Sequence, residues 1–139
     1  MPARIRTFCH RTGQAYPESK AEIVRCILES LALKYRWVLE RLEEMVGQRL
    51  DPIHIVGGGT QNRMLNQFTA DATGKCVVTG PVEATALGNI LMQAIGLNHF
   101  GSLQEGRAFI RTSFPTVDFE PARRAGWDKA YQKLLSVMA

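Results

Sequence analysis

Residues Ile53-His54-Ile55-Val56-Gly57-Gly58-Gly59-Thr60-Gln61-Asn62-Arg63-Met64-Leu65 change character halfway along. The first four, opened by Pro52, are rich in β-branched side chains and read as a short strand. Three consecutive glycines then break it. Thr60 can cap a helix that carries Met64, Leu65, Phe68 and Ala72 and runs to Gly74. Glycine has no Cβ, so a flat ligand or a phosphate can approach the backbone of such a turn closely. The helix that follows directs free N–H groups and a partial positive charge at the same place. Asn62 adds an amide that can donate and accept. Together these features suit a nucleotide. The pattern is not a P-loop, because no Gly-Lys-Ser/Thr follows. Nor is it a dinucleotide fingerprint, because Asn62 stands where the third glycine belongs. Three glycines after a strand also make a plain strand-to-helix turn, and spacing alone leaves both readings open.

Upstream of this stretch lies the longest helical pattern, from about Lys20 to Val46. Ser19 and Glu22 form a capping box at its start, and Gly47 suits its C-terminal cap. Ile23, Ile27, Leu31, Tyr35, Val38 and Leu42 recur at helical spacing, and Val24, Leu28 and Leu39 widen the apolar face enough for burial on two sides. Residues 1–17, within a basic N-terminal segment extending to 18, read as a short basic segment that ends in a turn. Downstream, Cys76 to Thr79 read as a second strand, ended by Gly80 and Pro81. A helix is expected from Glu83 to about Gly96, with Gly88 in its middle at a cost of about 1 kcal/mol against alanine. A glycine there implies another backbone packed close by. Residues 98–122 are expected to be an irregular connection. A last helix, from about Pro121 to Val137, sets Trp127, Tyr131, Leu134 and Met138 on one stripe.

The order is helix, strand, glycine turn, helix, strand, helix, an α/β arrangement. Two strands with helices on them leave long unpaired edges. The expectation is therefore a single partial domain over residues 1–139, completed by further sequence or by a second copy pairing through strand edges.

Composition narrows the function classes. The 139 residues are 45% hydrophobic and 22% charged, ordinary values for a folded domain. The net charge of +4 is spread along the chain, with Arg123-Arg124 the longest basic run, so no nucleic-acid partner is expected. No apolar run reaches the roughly 20 residues that span a bilayer, and Met1 to Arg6 lead into no apolar leader segment, so a cytoplasmic protein without a membrane partner is expected. Cys9, Cys26 and Cys76 are odd in number and contain no Cys-x-x-Cys pair. They are expected as free thiols, although the chain between Cys9 and Cys26 can fold back and bring the two close enough to oxidise in air. His10, His54 and His99 form no ligand motif, and no metal site is expected within the chain.

The wider stretch carries a resemblance. Gly57-Gly58-Gly59-x-Gln61-Asn62-x-x-Leu65-Asn66-Gln67, then Ala70-Asp71, then Glu83-Ala84-Thr85-Ala86-Leu87-Gly88-Asn89 resemble the adenosine-binding segment of the FGGY carbohydrate kinases, members of the actin-like ATPase superfamily with a ribonuclease H-like fold. Ser30-Leu31-Ala32 and Tyr35 fit as well, and the wording is most similar to the rhamnulokinase branch. Cys9 and Cys26 match positions where some of that branch carry cysteines. The likeness is densest over residues 19–98 and weakest past 100. It implies the C-terminal portion of the second, nucleotide-binding domain of a sugar kinase. Gly58 then lies against the adenosine of ATP, Asn62 bonds near the adenine, and Gly57 and Gly59 shape the turn. The implied reaction moves the γ-phosphoryl group of Mg2+-bound ATP to the 1-hydroxyl of L-rhamnulose, leaving ADP. The sugar is held mainly by an N-terminal domain that this stretch does not include. The family's catalytic aspartate and β- and γ-phosphate loops lie upstream as well. Asp51, Asp71, Asp118 and Asp128 do not match that aspartate, and Asp71 reads as structural. No catalytic residue is therefore expected here, and the chain by itself is expected to be inactive. Xylulokinase-like and gluconokinase-like kinases share the adenosine segment, and a stand-alone nucleotide-binding or interaction module would carry the same glycine turn.

Overall fold

The computed structural model describes residues 1–122 and 125–138. The Arg123-Arg124 run lies outside the described residues. Helix α1 covers Pro2–Arg11 and helix α2 covers Lys20–Val46. Strand β1 (Ile53–Ile55) leads through a 3-10 helix at Gly57–Gln61 into α3 (Arg63–Thr73), and strand β2 (Val77–Thr79) follows. Helices α4 (Ala84–Gly96) and α5 (Leu103–Ser113), strand β3 (Val117–Phe119) and helix α6 (Trp127–Met138) complete the order.

Helix α2 starts and stops where its sequence says. Ser19 Oγ accepts from the Glu22 N–H, the Glu22 carboxylate accepts from the Ser19 N–H, and Gly47 closes the helix in the left-handed region. The face it buries follows the expected stripe only at its start, where Ile23 is buried and Ile27 half-buried. Ala32 and Leu33 are buried with Trp37 beside them, whereas Leu31, Tyr35, Val38 and Leu42 stay exposed. The helix is apolar on more than one side. Periodicity therefore could not say which side α3 and α6 would cover.

Helix α3 is the centre of the molecule. On one side Ala72 packs into a cluster with Ala32, Leu33 and Tyr131, flanked by Trp37, Leu65, Phe68 and Trp127. On the other, Ala70 meets Val77 and Phe119 on the sheet, flanked by Ile53 and Ile55. Small residues let both layers approach the helix closely. Helix α6 is fastened to α2 by polar groups too: Arg36 bridges Glu40 and Asp128 at 2.9 and 2.7 Å, and the Tyr131 hydroxyl donates to Glu40. Burial, and then Glu40, push that hydroxyl up to about 12.

Among the described residues the sheet has three strands, in the order β1-β2-β3. β1 and β2 run parallel, with Ile53 opposite Val77 and Ile55 opposite Thr79, while β3 is antiparallel to β2. The outer edges of β1 and β3 carry no ladder partner among the described residues.

The structure departs from the sequence reading at four places. Residues 2–11 form a helix, started by Pro2 in its first turn and tied back by Arg6, which donates to the Pro17 and Glu18 carbonyls. The 98–122 segment is not irregular: Ser102 caps α5 by accepting from the Glu105 N–H, and Val117–Phe119 adds the third strand. Gly88 has no backbone against it, since an added Cβ would meet no described atom within 4 Å. The close approach occurs at Gly106 instead, where a Cβ would lie 2.1 Å from Leu91 Cδ1. The α6 helix begins at Trp127 rather than Pro121.

Candidate nucleotide site

The carboxyl ends of β1 and β2 meet at the glycine turn. The Gly80 N–H donates to the Ile55 carbonyl at 2.8 Å, and the Gly57 N–H donates to the Pro81 carbonyl at 3.0 Å. The turn and the Pro81–Glu83 segment thus lie side by side, outside the ends of two parallel strands. Ligands of open α/β sheets bind at such ends. Gly57 has φ +79°, a conformation that a Cβ would strain, so the first glycine is needed by the turn itself. Gly58 is different: it is exposed, and a Cβ there would meet no described atom within 4 Å. Nothing in the described chain requires a glycine at 58. Val56 and Val82, 58% and 39% exposed, flank the turn and offer an apolar wall to a flat ring.

Thr60 does not cap the following helix as expected. Its hydroxyl donates to the Gly57 carbonyl at 2.8 Å, and the chain curls into a 3-10 turn. Asn62 is the cap: its Oδ1 accepts from the Leu65 N–H at 3.0 Å. That bond engages the oxygen of an exposed residue. The first turn of α3 holds no acidic residue, so the positive end of the helix is unopposed there.

The turn is held from below by α3. Asn66, fully buried, donates from Nδ2 to the Thr60 carbonyl at 3.0 Å. Asp71 accepts from Gln67 Nε2 at 2.9 Å and from the Ala122 N–H at 2.8 Å, a structural role linking α3 to the segment after β3. Asp51 pairs with Arg49 and Asp128 with Arg36, and Asp118 lies on β3. Among the described residues no three His, Cys, Asp or Glu side chains converge to hold a metal ion.

A large cavity lies elsewhere. About 980 Å³ opens between α1, α2 and α6, lined by Ile5, Phe8, Cys9, Cys26, Phe68 and Leu134 among others. Its walls are mostly apolar, and it does not reach the glycine turn. At the turn itself Gly58 and Gly59 are exposed, while Gly57 and Thr60 are half-buried. Cys9 and Cys26 line the cavity as free thiols, and burial, then the neighbouring Cys9, raises the Cys26 thiol. Cys76 is pushed up to about 11 by burial and then by Glu120, so it stays a thiol at neutral pH. Among the described residues no helix is long and apolar enough to cross a membrane.

Parallel strands joined through α3, with a ligand-ready turn at their carboxyl ends, define an α/β domain with a surface suited to a nucleotide. Residues 1–97 match the model of the FGGY family of carbohydrate kinases, C-terminal domain, and the chain belongs to that family. It is 46% identical to a rhamnulokinase of Bacteroides thetaiotaomicron over 131 residues, covering 94% of this chain and 27% of the relative. It is 40% identical to a rhamnulokinase of Bacillus subtilis over 121 residues, covering 87% of this chain and 25% of the relative. The chain thus spans about a quarter of the length of the curated relatives it matches. Its fold is similar to part of the xylulose kinase of Rhodospirillum rubrum, with a TM-score of 0.69 at 20% identity, covering 90% of this chain and 25% of that one. A glycerol kinase of Plasmodium falciparum, solved with ADP, matches with a TM-score of 0.66 at 22% identity, over 88% of this chain and 24% of that one. The fold class is α/β, a portion of the actin-like ATPase fold, as the resemblance implied.

Proposed function

We propose that this chain is the C-terminal part of an ATP-dependent sugar kinase whose substrate is L-rhamnulose, and that it supplies the adenosine half of the nucleotide site. The sugar rests on rhamnulokinase relatives at 40–46% identity along most of the chain. The half-site rests on one observation above all: Gly58 is an exposed glycine that the described fold does not need, at the carboxyl ends of two parallel strands. In this reading the adenosine lies on Gly58 between Val56 and Val82, and Asn62 Nδ2 donates to the base. Gly57 and Gly59 keep the turn curved.

Phosphoryl transfer relies on positioning, on neutralising spread negative charge, and on a base for the accepting hydroxyl. ATP supplies the γ-phosphoryl group that moves to the 1-hydroxyl of the sugar. Residues of this chain contribute the first of the three requirements. The aspartates described above are engaged structurally or lie away from the turn, so the base belongs to the remainder of the kinase. In this reading Mg2+ is held by the nucleotide and by that remainder. The exposed α2 face of Leu31, Tyr35, Val38 and Leu42, with the open β1 edge, is surface for that remainder to cover. Both substrates place the reaction in the cytoplasm.

Titrating ATP into the chain, followed by NMR, tests the half-site. Without phosphate contacts the expected Kd is about 1 mM, near the weak end of specific affinities. Gly58→Val is expected to abolish the shifts while leaving the fold intact, because a Cβ there meets no described atom within 4 Å. Micromolar binding would instead favour a stand-alone nucleotide module. Equal binding by wild type and Gly58→Val would remove Gly58 from the site.

A further inference from the structure

Asn66 is buried without any exposure, on the inner side of α3 beneath the glycine turn. Its Nδ2 meets the Thr60 carbonyl, and only the amide nitrogen can do so, which fixes the orientation of the group. Its Oδ1 is thereby turned to a place with no hydrogen-bond partner among the described residues. The other buried polar side chains of α3 are satisfied: Thr69 donates to the Leu65 carbonyl at 2.7 Å, and Asp71 accepts two bonds. A half-satisfied buried amide is destabilising, and an apolar side chain of the same shape would avoid that cost. An orphaned polar atom in a folded core calls for a reason other than stability.

The bonds around it point to that reason. Asn66 holds Thr60 by its carbonyl, Thr60 holds Gly57 through its hydroxyl, and Gly57 is held to Pro81 through its N–H. One relay therefore runs from the core of α3 to both sides of the surface that carries Gly58. We infer that Asn66 is a positioning residue for the nucleotide: its Nδ2 fixes the curvature of the Gly57–Gln61 turn in the form that receives adenosine. This rests on the half-site reading above. Ligand affinity depends on such pre-ordering, because a turn that must be ordered on binding weakens the complex.

Two variants of the full chain separate positioning from stability. Asn66→Leu keeps the bulk and removes both polar atoms. Asn66→Asp keeps the shape and sets a carboxylate against the Thr60 carbonyl. Three quantities are read: melting temperature, amide hydrogen exchange of residues 58–61 without ligand, and Kd for ATP. Both variants are expected to speed exchange at the turn and to raise Kd about 10-fold, the size expected for one lost hydrogen bond. Asn66→Leu is expected to do so with a melting temperature equal to or above that of wild type, which a purely structural residue would not show. Variants that keep wild-type exchange, or wild-type Kd, overturn the inference while leaving the half-site standing. A wild-type chain that takes up no ATP sinks both, and is told apart by that first titration.

Discussion

Gly106 and Leu91 show how a single missing methyl group places a helix. Leu91 is buried, and its branch fills the space that a side chain at 106 would need, so α5 can approach α4 only because residue 106 has no Cβ. Alanine in a helix is favoured over glycine by about 1 kcal/mol, but overpacking costs about 1–3 kcal/mol. Gly106→Ala is therefore expected to lower the urea midpoint. In a Leu91→Ala background the sign reverses, and the same change stabilises by up to about 1 kcal/mol. Gly106→Ala as stable as the wild type, with Leu91 in place, would contradict this packing. At Gly88 the sequence invited the same explanation and the structure withholds it, since nothing described packs there. A glycine in a helix says that something is unusual, and not whether the cause lies inside the chain or in what covers it.

At the scale of elements, the ion pair between α2 and the turn before β2 gives a pH signature. Lys75 Nζ lies 2.6 Å from Glu43, with the lysine side chain only 8% exposed, and the Leu50 N–H also donates to that carboxylate. Lys75 first, then Leu50, hold the Glu43 carboxyl below the ordinary 4.5. The folded value is the lower one, so the stabilisation is complete above 4.5 and lost as the pH falls through the folded value. Melting curves from pH 7 to pH 3 should show Glu43→Gln less stable than wild type at pH 7 and shallower in its acid decline. Parallel curves would assign the acid sensitivity elsewhere.

Elements with strong local signals were legible in advance. The α2 capping box, its Gly47 stop, the β1–turn–α3 unit and β2 all stand where the sequence placed them. Those missed have weaker or contradictory signals. Ser102 and Glu105 do spell a helix start, but Gly106 follows at once, and its reason lies in Leu91, a tertiary partner. Strand β3 is three residues long, too short for a period. At the candidate site, the glycine turn was legible because glycine's backbone freedom is a local property, whereas the cap of α3 falls to Asn62 instead of Thr60. Asn66 was quoted within the motif, but its part was not: that part depends on the carbonyl of Thr60, six residues back along the chain and brought overhead only by the 3-10 turn.

The whole molecule is built around α3. Its two small clusters are centred on α3, while apolar side chains on α2 and the outer sheet edges stand uncovered. In the proposed reading such a body holds adenosine weakly and leaves the base to the remainder of the kinase, so the chain alone is expected to form no ADP in the presence of L-rhamnulose. The most direct test of the central claim is a chimera. The C-terminal quarter of the Bacteroides thetaiotaomicron rhamnulokinase, the part this chain matches at 46% identity, is replaced by this chain, and sugar-dependent ADP formation is measured. The expected result is turnover with L-rhamnulose that falls at least about 100-fold on Gly58→Val, the scale of losing a transition-state contact. A folded chimera without turnover, or one indifferent to Gly58→Val, would contradict the account.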